Sequence, residues 1–153
     1  MLEILNDSVQ TVTPNLYISG QLLPEQLENL PDIGIQSVLC LRCITESGFR
    51  YEERSHLEIL GMQYQHIPIS PDTLNGELIA QVLQTIDYLP KPILIGCRSA
   101  FRAGFMALLY MATRHHLSHI ETYSLQKSLG FDFSIKPPFQ HWFDHYINQS
   151  LSH

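Results

Sequence analysis

The stretch from Ala103 to His116, AGFMALLYMATRHH, constrains the fold most, because it is apolar nearly all round at helical length. A surface helix needs only one apolar stripe, so a helix apolar on every side has to be enclosed by other elements. No apolar run reaches the roughly 18 residues that a membrane helix needs, so other parts of the chain must supply the enclosure.

The rest of the sequence supplies it in alternation. Asn15–Ser19, Gln36–Arg42, Met62–Ile69 and Pro92–Gly96 read as short strands, the second and fourth apolar enough to be buried on both faces. Between them, Pro24–Leu30 reads as a short helix stopped by Pro31 and Gly34. Phe49–Leu60 reads as a helix stopped by Gly61. Thr73–Leu89 places Leu78, Val82, Ile86 and Leu89 at helical spacing, with Pro90 and Pro92 ending it. After Ala103–His116, Ser118 caps a helix closed by Gly130, and Pro137 or Pro138 opens a last one ending near Leu151. Strands alternating with helices predict one α/β domain over residues 1–153, with a central, mostly parallel sheet of four to five strands flanked by helices.

Composition narrows the function classes. The net charge of −6, with no Lys/Arg cluster, argues against nucleic acid as a partner. A small anion remains possible, since a local nest of backbone N–H groups binds one on an acidic protein. The N-terminal MLEILNDSVQ lacks the basic region of a signal peptide, so a cytoplasmic protein without a membrane partner is expected. Three cysteines in such a chain are not a disulfide framework.

One of those cysteines sits where an α/β sheet binds ligands, beyond the carboxyl end of a strand. In ILIGCRSAFRAG the strand runs into Cys97, a short polar loop, Arg102 and then the enclosed helix. Backbone N–H groups of Arg98, Ser99, Ala100 and Phe101 can curl round the sulfur, and the helix start adds about half a positive charge. Together with two guanidinium groups, these favour a nucleophilic thiolate and suit a tetrahedral oxyanion. The alternative is a buried structural cysteine followed by a solvated arginine.

Three segments, TVTPNLYISGQLLPEQLENLPDIGIQSVLCLR, GMQYQHIPI and PILIGCRSAFRAG, resemble the bacterial dual-specificity-phosphatase-like proteins. More narrowly, they resemble the phosphatase-like domain associated with β-lactamase-like hydrolases. The resemblance implies a compact cysteine-phosphatase fold and hydrolysis of a phosphorylated protein or small aryl phosphate, with no cofactor. It implies Cys97 as the nucleophile that forms a phosphocysteine, and Arg102 as the residue binding the phosphoryl oxygens. The chain departs from the usual pattern in four places. Gly96 replaces the histidine before the cysteine, and four residues rather than five separate Cys97 from Arg102. Ala103 stands in place of Ser or Thr, and Ala100 stands where glycine is usual in the narrower family. The short loop also resembles that of rhodanese sulfurtransferases, which hold a persulfide. Sulfur transfer on Cys97 is therefore an alternative, and a silent anion-binding module is another.

Phosphocysteine chemistry requires a general acid. Related phosphatases carry theirs on the loop after the strand matching Met62–Ile69, which makes Asp72 the candidate. Asp72 could instead cap the following helix together with Thr73. Cys43 falls at the same sheet edge as Cys97 and is a candidate redox partner, whereas Cys40 belongs inside its strand and Arg42 suits a structural ion pair. His141 and His145, one turn apart in HWFDH, lack the glutamate and third ligand of a metalloprotease helix, so no metal is expected.

Overall fold

The computed structural model describes residues 8–151. Five strands form one sheet: β1 (Val9–Thr13), β2 (Leu16–Ser19), β3 (Ser37–Cys40), β4 (Gln63–His66) and β5 (Ile93–Gly96), in the order β1-β2-β5-β3-β4. Four strands run parallel, and β1 pairs antiparallel with β2 at the edge. The helices are α1 (Pro24–Leu27), α2 (Glu53–Ile59), α3 (Gly76–Tyr88), α4 (Phe101–Arg114), α5 (His119–Leu129) and α6 (Pro137–Leu151). Short 3₁₀ turns occupy Leu30–Ile33 and Phe133–Ile135. The expected α/β domain with a mostly parallel sheet is thus the observed fold.

Alternation along the central strands sorts the core into two layers. Leu39, Leu41, Ile93 and Ile95 join Val82, Ile86 and most of α4 on one side. Val38, Cys40 and Leu94 join Leu27, Leu57 and Met62 on the other. Helix α4 is enclosed as its sequence requires, with Phe105 edge-on to Phe133 and Phe139 at 5.5 and 4.9 Å. The Phe131 ring lies so close to Gly104 that a Cβ there would fall 2.2 Å from a ring carbon.

Several boundaries differ from the sequence reading. Helix α2 begins at Glu53 rather than Phe49. Before it, Gly48 takes φ +78°, and the Arg42 guanidinium binds the carbonyls of Ser47 and Gly48, which holds the segment as a loop. Helix α3 starts at Gly76, capped by Asn75, whose side chain accepts from the Leu78 amide at 2.8 Å. The alternative of Asp72 and Thr73 as the cap is therefore corrected: the Thr73 hydroxyl instead closes a turn on Ser70. Ser118 and Gly130 do bound α5, through a capping box with Glu121 and a left-handed φ of +84°.

The registers bring the strand ends level. Gly96 stands opposite both Ser19 and Cys40, and Cys40 stands opposite His66. The residues that follow these four therefore share one edge of the sheet.

Candidate active site

Cys97 leaves β5 at that edge with its backbone still tied to the sheet. Its amide donates to the Ser19 carbonyl at 3.1 Å, and the Leu41 amide donates to the Gly96 carbonyl at 2.9 Å. The loop then folds back on β2: the Gln21 amide donates to the Arg98 carbonyl at 3.1 Å, and Ser99 bridges to Gly20. This approach requires glycine at position 20, since a Cβ there would sit 2.8 Å from the Arg98 carbonyl oxygen.

Ala100 reverses the chain. It adopts φ +71°, ψ −7°, a left-handed conformation that costs an alanine roughly 1 kcal/mol relative to glycine. The reversal starts α4 at Phe101, two residues earlier than its apolar pattern suggests, and aims the first turn at the sulfur. The Ala103 amide donates to Cys97 Sγ at 3.4 Å. The sulfur thus sits on the positive end of a fourteen-residue helix, and Cys97 is only 1% exposed.

Arg102 turns toward the neighbouring loop. Its Nη1 and Nη2 donate to the two carboxylate oxygens of Glu46 at 2.6 and 2.8 Å, a forked pair, and Nη1 also reaches the Ile69 carbonyl at 3.1 Å. Glu46 accepts in addition from the Cys43 amide at 2.5 Å and from Arg42 Nε at 3.4 Å. The Arg102 hydrogen bonds, helped by the Cys43 amide and Arg42, hold the Glu46 carboxyl down at about 2 against the desolvation that opposes them. Arg42 is 2% exposed and also donates to Gln21 Oε1 at 2.7 Å, so it has the structural role expected of it. Gln21 in turn donates to Glu53 at 2.8 Å, a carboxyl that burial pushes up. A continuous chain of contacts thus links the loops after β2, β3 and β5.

A cavity of about 520 Å³ opens in front of this loop. Arg98, Ser99, Phe101 and Arg102 line it on one side, Cys43, Glu46 and Ser70 on another, and Lys136 with Phe139 close it. Cys97 lines a different, much smaller cavity of about 20 Å³ on the inner side, together with Ser19, Cys40 and Glu53. The Ser19 hydroxyl is buried there without a hydrogen-bond partner, in space for about one water molecule.

Two residues expected at the site are placed less directly. Asp72 lies on the loop after β4, whose Ser70 and Pro71 line the outer cavity, but Asp72 is exposed and is not part of that lining. Cys43 lines the outer cavity and hydrogen-bonds the Ile69 carbonyl at 3.6 Å, with burial pushing its thiol up; all three cysteines are free. The sequence reading missed Glu46, Gly20 and Lys136. Only Gly20 carried a local signal, as a glycine directly ending a strand. His141 and His145 each meet the Trp142 ring in a T-shaped contact at 5.3 Å.

No protein-family model and no curated protein sequence matches the chain. Solved structures do match in fold. A DUF442 protein of Shewanella putrefaciens CN-32 superposes with a TM-score of 0.82 at 21% identity, covering 98% of this chain and 99% of that one. The Pseudomonas aeruginosa protein TpbA, solved in complex with phosphotyrosine, gives 0.72 at 14% identity over 95% and 91% of the two chains. The core catalytic domain of the PP-IP phosphatase SIW14 from Saccharomyces cerevisiae, in complex with citrate, gives 0.72 at 18% identity over 94% and 88%. The α/β architecture described above is therefore one that this chain shares with these proteins.

Proposed function

We propose that the chain is a cysteine-dependent phosphatase acting on phosphate monoesters. The observation that carries this reading is the Cys97 sulfur on the N-terminus of α4, with Arg102 in the first turn of the same helix, on a fold that phosphatases use. In this reading the Cys97 thiolate attacks phosphorus, the S–P bond forms as the P–O bond breaks, and the leaving oxygen takes a proton. Water then attacks the phosphocysteine, releasing phosphate and restoring the thiolate. The loop amides of residues 98–102 would receive the transferred oxygens, and Arg102, aimed by Glu46, would neutralise the charge that develops on them. The Arg102 Nε–H takes no part in the fork with Glu46 and is the edge a ligand would meet. Asp72 donates the leaving-group proton from the loop after β4.

Sulfur transfer is the second reading. It is favoured by the four-residue spacing and by the enclosure of a sulfur that is 1% exposed. One pair of assays separates the two: phosphate release from an aryl phosphate, and thiocyanate formation from thiosulfate and cyanide. The phosphatase reading expects the first alone, abolished in Cys97→Ser. It also expects Asp72→Asn to slow hydrolysis of an ester with a poor leaving group about 100-fold while sparing one with a good leaving group. Thiosulfate turnover without phosphate release would replace it with the second reading, and silence in both assays would leave an anion-binding module. The domain's attachment to a β-lactamase-like hydrolase rests on sequence resemblance, and co-purification of the two proteins would test it.

A further inference from the structure

The chain carries nine Lys and Arg residues against fifteen acids, yet three of the nine line the cavity of about 520 Å³ in front of the cysteine loop, Arg98 also bordering a second cavity beside β2. Only Arg102 is committed there, to Glu46. Arg98 is exposed on the loop itself, and among the described residues neither it nor Lys136 forms a salt bridge. Counting Glu46, the walls keep an excess of two positive charges on an acidic protein.

Lys136 comes from a separate part of the fold, between the Phe133–Ile135 turn and α6, and its position is fixed by a ring. Its ammonium lies 5.0 Å from the centre of the Phe101 ring, a cation–π contact. The same ring meets Phe133 and Phe139 edge to face, each at 5.3 Å. The Phe101 ring is therefore already engaged by a cation and by two packed rings. What the cavity does offer beyond the loop is positive charge, in a volume suited to a small molecule.

We infer that Lys136 and Arg98 form a subsite for a second anionic group, so that the preferred ligand is a compact small molecule carrying two or more phosphates and not an isolated aryl phosphate. This deepens the phosphatase reading and rests on it for the fate of the first phosphate. The subsite itself is a binding claim and can be tested without turnover.

The test uses full-length Cys97→Ser protein in isothermal titration at 0.15 M salt with four probes: orthophosphate, pyrophosphate, fructose 1,6-bisphosphate and a singly phosphorylated tyrosine peptide. At least one of the two-phosphate probes is expected to bind about tenfold more tightly than orthophosphate, the scale of one added charge contact in a partly screened site. Lys136→Gln in the same background is expected to cut that ratio to below about threefold, and Lys136→Arg to keep most of it. Far-UV dichroism and the thermal midpoint verify that each variant is folded. Equal affinity for one and two phosphates, a ratio that survives Lys136→Gln, no binding of any probe, or a preference for the tyrosine peptide would each overturn the inference. Phosphate release by the wild-type chain is read separately. Selective two-phosphate binding by a chain that releases no phosphate would keep the subsite and discard the phosphatase reading.

Discussion

Glu46 is the residue on which the geometry of the loop turns, because it holds Arg102 by both ends of its fork and is itself held by the Cys43 amide and Arg42. Glu46→Gln keeps the shape and removes the charge. It is expected to lower kcat/KM for an aryl phosphate by roughly 10- to 100-fold, the cost of a misplaced binding group. The same carboxyl sets a pH dependence of stability. Folded, it takes up its proton only near pH 2, whereas its ordinary value is 4.5. Between those values the unfolded chain binds more protons, so acid favours unfolding: the contribution is complete above about pH 4.5 and lost as the pH falls toward 2. Denaturant titrations from pH 6 to pH 2 should show wild type losing on the order of 2–3 kcal/mol that Glu46→Gln does not lose. An equal slope in both proteins would detach the fork from stability.

At the level of elements, α4 shows both the reach and the limit of local pattern. Its enclosure was legible, since fourteen residues apolar on nearly every side admit one kind of placement. Its start was not, because the N-cap is a left-handed alanine, and alanine carries no capping signal. Strand β1 was missed for a related reason: VQTVT is short and polar on one side, and its pairing with β2 depends on a neighbour and not on its own period. The extra residues assigned to α2 were undone by a buried arginine taking two loop carbonyls, a contact with no local periodicity. Tight packing against α4 gives the prediction at this scale. Gly104→Ala would drive a methyl into the Phe131 ring and is expected to destabilise the fold by about 1–3 kcal/mol, read from the denaturant midpoint at constant m-value. A neutral outcome would mean that the segment carrying Phe131 yields without loss.

Across the whole molecule, the nucleophile and the arginine of the candidate site could be read because they lie on one short loop that a strand delivers to a helix. Glu46 and Lys136 could not, since only the level strand ends and the turn before α6 bring positions 46, 102 and 136 to one cavity. Charge at this scale carries its own prediction. With a net −6 on the chain and a local positive excess at one cavity, raising NaCl from 0.05 to 0.5 M should raise KM for a dianionic phosphate ester about three- to tenfold while kcat moves little. A salt-independent KM would show that the cavity's field does not attract the substrate. The fork on Arg102 has one more consequence. A free arginine side chain carries about 2 kcal/mol of rotamer freedom, and the anchor on Glu46 and the Ile69 carbonyl has already removed much of it. An arriving oxyanion therefore meets a cation held still before the encounter, and its binding heat is spent on contact, with little ordering of this side chain left to offset it.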